Sequence, residues 1–342
     1  MYHIAVVGCG MMSGTWIEIA SHRKDCTIVA LIDVNIEMAK EKLEKYKINA
    51  TIYTTLTEAL EKERINLVFD ITPPAYHYDT VSTALLAGCD VFGEKPMSDS
   101  LESSYKLVEL SKKTGKKYFV MQNRRYYGNI CAFKNFIQSN EIGDVGQLSA
   151  NFQLNPHFGG FREEMDSPLI ADMAIHTFDA ARFILGKNPV SVYCCEFNPS
   201  WSWYKGNASA VCIFEMEDGS VFDYRGSWCT NGLNTPWESE WRAACSLGSA
   251  FWDGIDTIQY QVADDGVVKT GISKDEVVEK NTIQFIEPLN MPKTSHHGCI
   301  AEMFESLINN KKSQTDCTDN IKSIEMVYKA IESARKRAVM KI

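Results

Sequence analysis

Asp172 and His176 stand four residues apart in the segment Leu169 to Leu185, which is apolar on nearly every side. On an α-helix that spacing stacks the two on one face, and Asp179 continues the stripe. Ionisable groups inside a buried helix need partners or a cavity. Three readings stand: a proton relay, a satisfied core pair, or two ligands of a metal. In the relay, imidazole titrates near neutral pH and takes a hydroxyl proton while the carboxylate orients the substrate. No Cys or carboxylate cluster at recognisable spacing supplies further metal ligands, so no metal is expected. Lys95 is a further candidate. It lies in Glu94-Lys95-Pro96, and proline confines the residue before it to extended angles, which gives the ammonium a defined direction. Beside a reacting hydroxyl such a lysine could donate a hydrogen bond, with its pKa lowered by desolvation. The alternative is a surface lysine before a turn.

A third group of residues points to a cofactor. The apolar run Ile4 to Val7 leads into Gly8-Cys9-Gly10-Met11-Met12-Ser13-Gly14 and then a helix-compatible stretch, Thr15 to Ala20. A first glycine permits a tight turn, and a second lets a pyrophosphate approach the backbone. The helix start then offers free N–H groups to the negative charge. Ser13 replaces glycine at the third position of that pattern, with Gly14 beside it. Asp33 follows at the end of the strand-like Thr27 to Ile32, where a carboxylate accepts hydrogen bonds from ribose hydroxyls and repels a 2′-phosphate. NAD is expected over NADP.

The elements that must position these groups follow from the grammar of the chain. Length, 342 residues, predicts two domains, and 45% apolar with 23% charged residues describes an ordinary globular protein. A net charge of −9 gives no general counter-charge for phosphate backbones or anionic lipid, so neither nucleic acid nor a membrane is an expected partner. Eleven cysteines without C-x-x-C spacing argue for thiols in a reducing cytoplasm rather than a disulfide framework. Up to about residue 120, short buried-strand runs (Ile4 to Val7, Thr27 to Ile32, Leu67 to Ile71, Asp90 to Phe92, Tyr118 to Met121) alternate with helical stretches, which predicts a doubly wound parallel sheet. After about 145 the pattern becomes two-residue alternation with a hairpin signal at Asp218-Gly219, followed by two closing helices near 297 to 309 and 319 to 338. The expected fold is therefore α/β: a Rossmann domain over 1–122 and a second α/β domain over 123–342 with a large, mostly antiparallel open sheet.

In this order, these motifs resemble those of the Gfo/Idh/MocA oxidoreductase family across the whole chain. The residues that carry the resemblance are Val7-Gly8-Cys9-Gly10-Met11-Met12, Thr72-Pro73-Pro74 with His77, Glu94-Lys95-Pro96, Gln122-Asn123-Arg124-Arg125-Tyr126, and Asp172-Met173-Ala174-Ile175-His176. The closing Asp319 to Ser323 is also similar. The resemblance implies NAD(P)-linked oxidation or reduction of a sugar, an inositol or a derivative, with Lys95, Asp172 and His176 as the catalytic trio. It implies cofactor contacts from Gly8, Gly10, Met11, Met12, Asp33, Thr72, Pro73, His77, Glu94, Lys95 and Gln122. Arg124 joins the trio as a substrate contact, and the open sheet is expected to pair copies into a homodimer or homotetramer.

Further candidates are weaker. Asn155 to Arg162 is a glycine-rich loop that could be a lid carrying His157 and Arg162 to substrate or cofactor, or could be a plain connection. Six of the seven tryptophans fall in the sheet region; a subunit interface is their expected use, with Trp237 the best placed to stack on a sugar face. Two rival functions are a non-catalytic NAD(P)-responsive regulator and a glycosidase that acts through transient sugar oxidation. The intact trio argues against the first, and Phe158-Gly159-Gly160-Phe161 lacks the glycine-histidine-glycine pattern associated with one group of the second.

Overall fold

The computed structural model describes residues 1–263 and 283–342. These form two compact units: Met1–Asn123 with Lys293–Ile324, and Arg124–Pro292 with Glu325–Ile342.

In the first unit, six strands make one parallel sheet: β1 (Tyr2–Val7), β2 (Cys26–Ile32), β3 (Thr51–Tyr53), β4 (Leu67–Asp70), β5 (Asp90–Gly93) and β6 (Tyr118–Val120). Their order is β3-β2-β1-β4-β5-β6. The chain reverses direction across the sheet between β1 and β4, so a crevice opens beyond their carboxyl ends. β3 was not among the expected strands. At three residues, with Thr51 exposed, it has too little apolar pattern to stand out. Helices Ser13–Ser21, Ile36–Tyr46, Leu56–Lys62, Pro74–Leu86 and Leu101–Thr114 make the crossovers.

A row of rings fills one face of this sheet. Trp16 meets Phe69 edge-on at 5.0 Å, Phe69 stacks on Phe92 at 5.7 Å, and Phe92 stacks on Phe119 at 5.6 Å. Phe304, on the helix Ser295–Ile308, stands edge-on to Phe92 at 5.1 Å and also packs against Tyr2 and Phe69. Residues 293–324, grouped with the second half by the sequence reading, thus pack in the first unit, because that row needs an apolar cover.

In the second unit, nine strands form one sheet: β7 (Val145–Gln153), β8 (Pro189–Phe197), β9 (Ser209–Met216), β10 (Val221–Ser227), β11 (Glu240–Cys245), β12 (Gly248–Trp252), β13 (Ile258–Val262), β14 (Gln284–Ile286) and β15 (Met340–Lys341). The order is β14-β13-β12-β11-β7-β10-β9-β8-β15; β7 and β10 run parallel, and the other neighbours antiparallel. The Asp218-Gly219 turn joins β9 to β10 as expected, with Gly219 at φ +83°. Along β9, Ala210, Cys212, Phe214 and Met216 are buried while Val211, Ile213 and Glu215 face outward. Phe178 of the helix Ile175–Leu185 covers the inner face, edge-on to Phe214 at 4.9 Å and to Tyr224 at 5.3 Å. Trp228, Trp241 and Trp252 are fully buried here, so these three serve the core and not a subunit interface.

The segment expected as a single α-helix is two elements. Leu169–Ala174 is π-helical and Ile175–Leu185 is α-helical, ending at Gly186 with φ +67°. In the wider π turn the hydrogen bonds run i to i+5, so four-residue stacking of Asp172 on His176 does not follow from their spacing alone. Ser167-Pro168 reads in the sequence as an N-cap followed by proline at the first helical position, but Ser167 is not the cap. Pro168 holds that position, and the Ser167 hydroxyl donates to Glu196 Oε2 at 3.1 Å.

Candidate active site

The candidate cofactor residues lie on the first unit, around the carboxyl ends of β1, β2, β4 and β5. Gly8 has φ +89°, and a Cβ placed on it would stand 2.5 Å from Ile71 O, so only glycine lets β1 turn this close to the chain leaving β4. At Gly10 a Cβ would meet no described atom within 4 Å. That open space beside the backbone is what a pyrophosphate needs. The helix Ser13–Ser21 starts there with no side-chain cap and no acidic residue in its first turn; Gly14 N donates to Met11 O at 3.4 Å, and the positive end of the helix favours an anion. Met11 is exposed and Met12 flanks it. The third-position question resolves into two residues: Ser13 is fully buried and its hydroxyl donates to Gly10 O at 2.7 Å, while Gly14 makes room for the Tyr46 hydroxyl.

Asp33 reaches back to the turn. Its Oδ2 accepts from Cys9 N at 2.7 Å and its Oδ1 accepts from Asn35 N at 2.8 Å. A carboxylate oxygen accepts more than one hydrogen bond, so both retain capacity for ribose hydroxyls. Burial, reinforced by the Asp33 charge, pushes the Cys9 thiol up to about 12, and it stays an inert thiol within the turn.

Thr72 is held by a residue that sequence reasoning missed. Asp70, fully buried at the end of β4, accepts from Thr72 N at 3.2 Å and from the Thr72 hydroxyl at 2.6 Å on Oδ1. Its other oxygen, Oδ2, lies 2.5 Å from His77 Nδ1. His77 is fully buried, so its side chain reaches the site only through Asp70 and Thr72; its Nε2 has no partner among the described residues. Burial alone would lower the His77 pKa, but the charge and hydrogen bond of Asp70 outweigh it and the net shift is upward. Pro73 is exposed at the start of the next helix.

Glu94 ties the glycine turn to the lysine segment. Its Oε1 accepts from Trp16 Nε1 at 2.8 Å, and Trp16 sits on the helix that follows the turn; its Oε2 accepts from Lys95 N at 3.3 Å. The Lys95-Pro96 peptide is cis, and Lys95 is half-buried. Gln122 is buried, with its Nε2 without a partner among the described residues, and the neighbouring Asn123 donates to Ser295 Oγ at 3.3 Å.

Apart from Lys95, which belongs to the first unit, the candidate substrate residues lie on the second unit. Asp172 and His176 are the partly exposed ionisable groups of an otherwise buried segment. Arg162 donates from Nε to Asp172 Oδ2 at 2.7 Å, so the glycine-rich loop closes on the carboxylate that the sequence singled out. Asp179 has a structural role instead: it accepts two hydrogen bonds from Arg125, both at 2.7 Å, inside the unit. Arg124 is nine-tenths buried and pairs through Nε with Glu238 Oε2 at 3.0 Å, with a further contact to Met173 Sδ. Glu238 is a second residue the sequence did not reveal. Burial raises its pKa and the guanidinium of Arg124 opposes that. His157 stacks ring on ring with Trp203 at 3.6 Å, so one face of the imidazole is occupied. Trp237, next to Glu238, is 46% exposed. Among the described residues no group of three or more His, Cys, Asp or Glu could hold a metal ion, and no helix is long and apolar enough to cross a membrane.

A parallel sheet in this strand order, a glycine turn over open space and an acidic residue closing β2 define a dinucleotide-binding Rossmann domain. A family profile described as an oxidoreductase family with an NAD-binding Rossmann fold matches residues 2–122, and one described as the GFO/IDH/MocA C-terminal domain matches residues 130–251. The chain belongs to the Gfo/Idh/MocA family of NAD-binding oxidoreductases. It is similar to the uncharacterised protein y4oX of Sinorhizobium fredii, 24% identical over 352 residues and covering all of this chain and 96% of that one. It is also similar to an inositol 2-dehydrogenase of Arthrobacter sp., 31% identical over 191 residues, which is 55% of this chain and 56% of that enzyme. The matched stretch thus spans about half of the inositol dehydrogenase. Its fold is shared with an oxidoreductase from Agrobacterium radiobacter solved in complex with NAD+, L-tartaric acid and magnesium, at 19% identity and TM-score 0.86, over 99% of this chain and 98% of that one.

Proposed function

We propose that this protein is an NAD-dependent dehydrogenase that acts on a CH–OH carbon of a sugar, an inositol or a related polyol. The observation that carries this reading is the pairing in the first unit of open space at Gly10 with an Asp33 carboxylate fixed on the same turn. NAD is favoured over NADP because a 2′-phosphate would meet the Asp33 charge. Similarity to inositol 2-dehydrogenases supports the substrate class.

Bound NAD supplies the hydride acceptor. In the roles that the family resemblance implies, His176 takes the proton of the substrate hydroxyl and Lys95 is a hydrogen-bond donor to developing negative charge. Asp172 accepts from a substrate hydroxyl and positions it. Arg162 in turn fixes the direction of Asp172. Glu94 and Asp70 are positioning residues that set the backbone of Lys95 and Thr72. The outward side chains of β8 and β9 support a homo-oligomer: exposed Tyr193 lies opposite exposed Ile213, and Cys195 opposite exposed Val211.

The test is a panel of sugars, inositols and glycosides with NAD, followed by absorbance at 340 nm. Lys95→Ala and His176→Ala should each lower kcat at least 100-fold with NADH affinity within about three-fold of wild type. Full turnover by either variant, or no NADH from the whole panel, would overturn the reading.

A further inference from the structure

Three large rings of the second unit stand open beside the Asp172 and Arg162 pair: Phe158 is 44% exposed, Trp237 46% and Phe161 54%. Single exposed rings are ordinary, but a cluster of them at a polar site marks a binding surface. Phe158 and Trp237 lie 6.2 Å apart with planes inclined at 43°. The loops that carry them are braced. Asn234 donates to Asn155 Oδ1 at 3.0 Å, Thr235 N donates to Gln153 O at 2.9 Å, and Phe158 rests edge-on against Trp228 at 5.4 Å. Arg162 spans the gap. Its guanidinium lies 5.1 Å from the Phe158 ring centre and 4.8 Å from that of Phe161, while its Nε holds Asp172.

From this arrangement we infer that Phe158, Phe161 and Trp237 form a second ring subsite, so that the preferred substrate is a glycoside of at least two sugar rings and not a free monosaccharide. The inference rests on the dehydrogenase reading above. A ring whose hydroxyl is oriented by Asp172 has its substituent directed past Arg162, onto the aromatic surface. The C–H face of a pyranose stacks on such rings, and its hydroxyl edge accepts from a guanidinium. Charge selects the substituent. Glu163 and Glu164 follow Phe161 and Arg162 on the short helix Phe161–Glu164, with Asp166 just beyond it; Arg162 is engaged by Asp172, Lys205 lies 3.4 Å from Glu164 and Arg335 lies 3.9 Å from Asp166, so the cations a diphosphate linker would need are already held by carboxylates. A neutral second sugar fits; a nucleotide does not.

The experiment compares matched sets with NAD at 340 nm: glucose, cellobiose and UDP-glucose, then galactose, lactose and UDP-galactose. The expected result is a KM at least ten-fold lower for a disaccharide than for its monosaccharide. Phe158→Ala should collapse that ratio toward one, and Phe158→Tyr should restore it. Equal KM values within each set, a ratio unmoved by Phe158→Ala, or preference for the nucleotide sugar would each overturn the subsite while leaving the dehydrogenase reading intact. If no sugar yields NADH, the dehydrogenase reading fails. Tryptophan fluorescence then decides the subsite: quenching by cellobiose that Phe158→Ala abolishes supports it, and no quenching overturns it.

Discussion

Gly8 and Gly10 do different work although they belong to one motif. Gly8 is constrained by the protein itself, at φ +89° and against Ile71 O, whereas Gly10 faces open space. Gly8→Ala should therefore cost about 2–3 kcal/mol of stability through strain at a left-handed position. Gly10→Ala should melt within about 1 °C of wild type and yet weaken NADH at least ten-fold, because the added methyl occupies room meant for the pyrophosphate. Thermal melts and NADH titration of both variants check this. Unchanged NADH affinity in Gly10→Ala would contradict it. These glycines and Asp33 were legible because their chemistry depends on local spacing. Trp16 was not: its indole donates to Glu94, 78 residues away, and no local pattern announces such a partner. Asp70 left a faint signal, a carboxylate ending a buried strand two residues before Thr72.

At the scale of elements, the π turn at Leu169–Ala174 separates what the sequence predicted from what the chain builds. Apolar periodicity identified a buried helix over these residues, but it could not distinguish five-residue from four-residue hydrogen bonding over so short a run. The start of that segment is tied to β8 through Ser167 and Glu196. Burial pushes the Glu196 carboxyl up to about 7 against the opposing pull of the Ser167 hydroxyl and Arg335. The folded chain thus binds this proton more tightly than the unfolded chain does. The resulting stability is complete below the usual carboxylate range, near pH 4, and is lost as the pH rises to about 7. Glu196→Gln, which stays neutral, should then be more stable than wild type by about 1–3 kcal/mol at pH 8 and show no gain at pH 4. Urea unfolding at the two pH values measures the difference; an equal effect at both would exclude the ionisation as its cause.

For the whole molecule, the parallel sheet and the switch to an antiparallel one were readable from periodicity and turn residues. The destination of the helix Ser295–Ile308 was not, because an amphipathic pattern shows that a helix covers something without naming the sheet it covers. The outward face of β8 and β9 carries the proposal of self-association. Ile213→Glu places a charge at the centre of its apolar strip and should convert an oligomer into a monomer on size-exclusion chromatography with light scattering. A wild-type chain that elutes as a monomer would contradict the proposal.

Phe304 lies on Phe92, and Val120 N donates to Thr315 O at 2.9 Å, so the nucleotide-binding unit is completed by residues that follow nearly all of the second unit in the chain. During synthesis, the first 123 residues leave the ribosome without the helix that shields their ring-lined face. Trp16 already covers Phe69, but the Phe92 end of the row waits for its cover through the making of some 170 more residues. Only when Phe304 and Thr315 emerge can the first unit close its core.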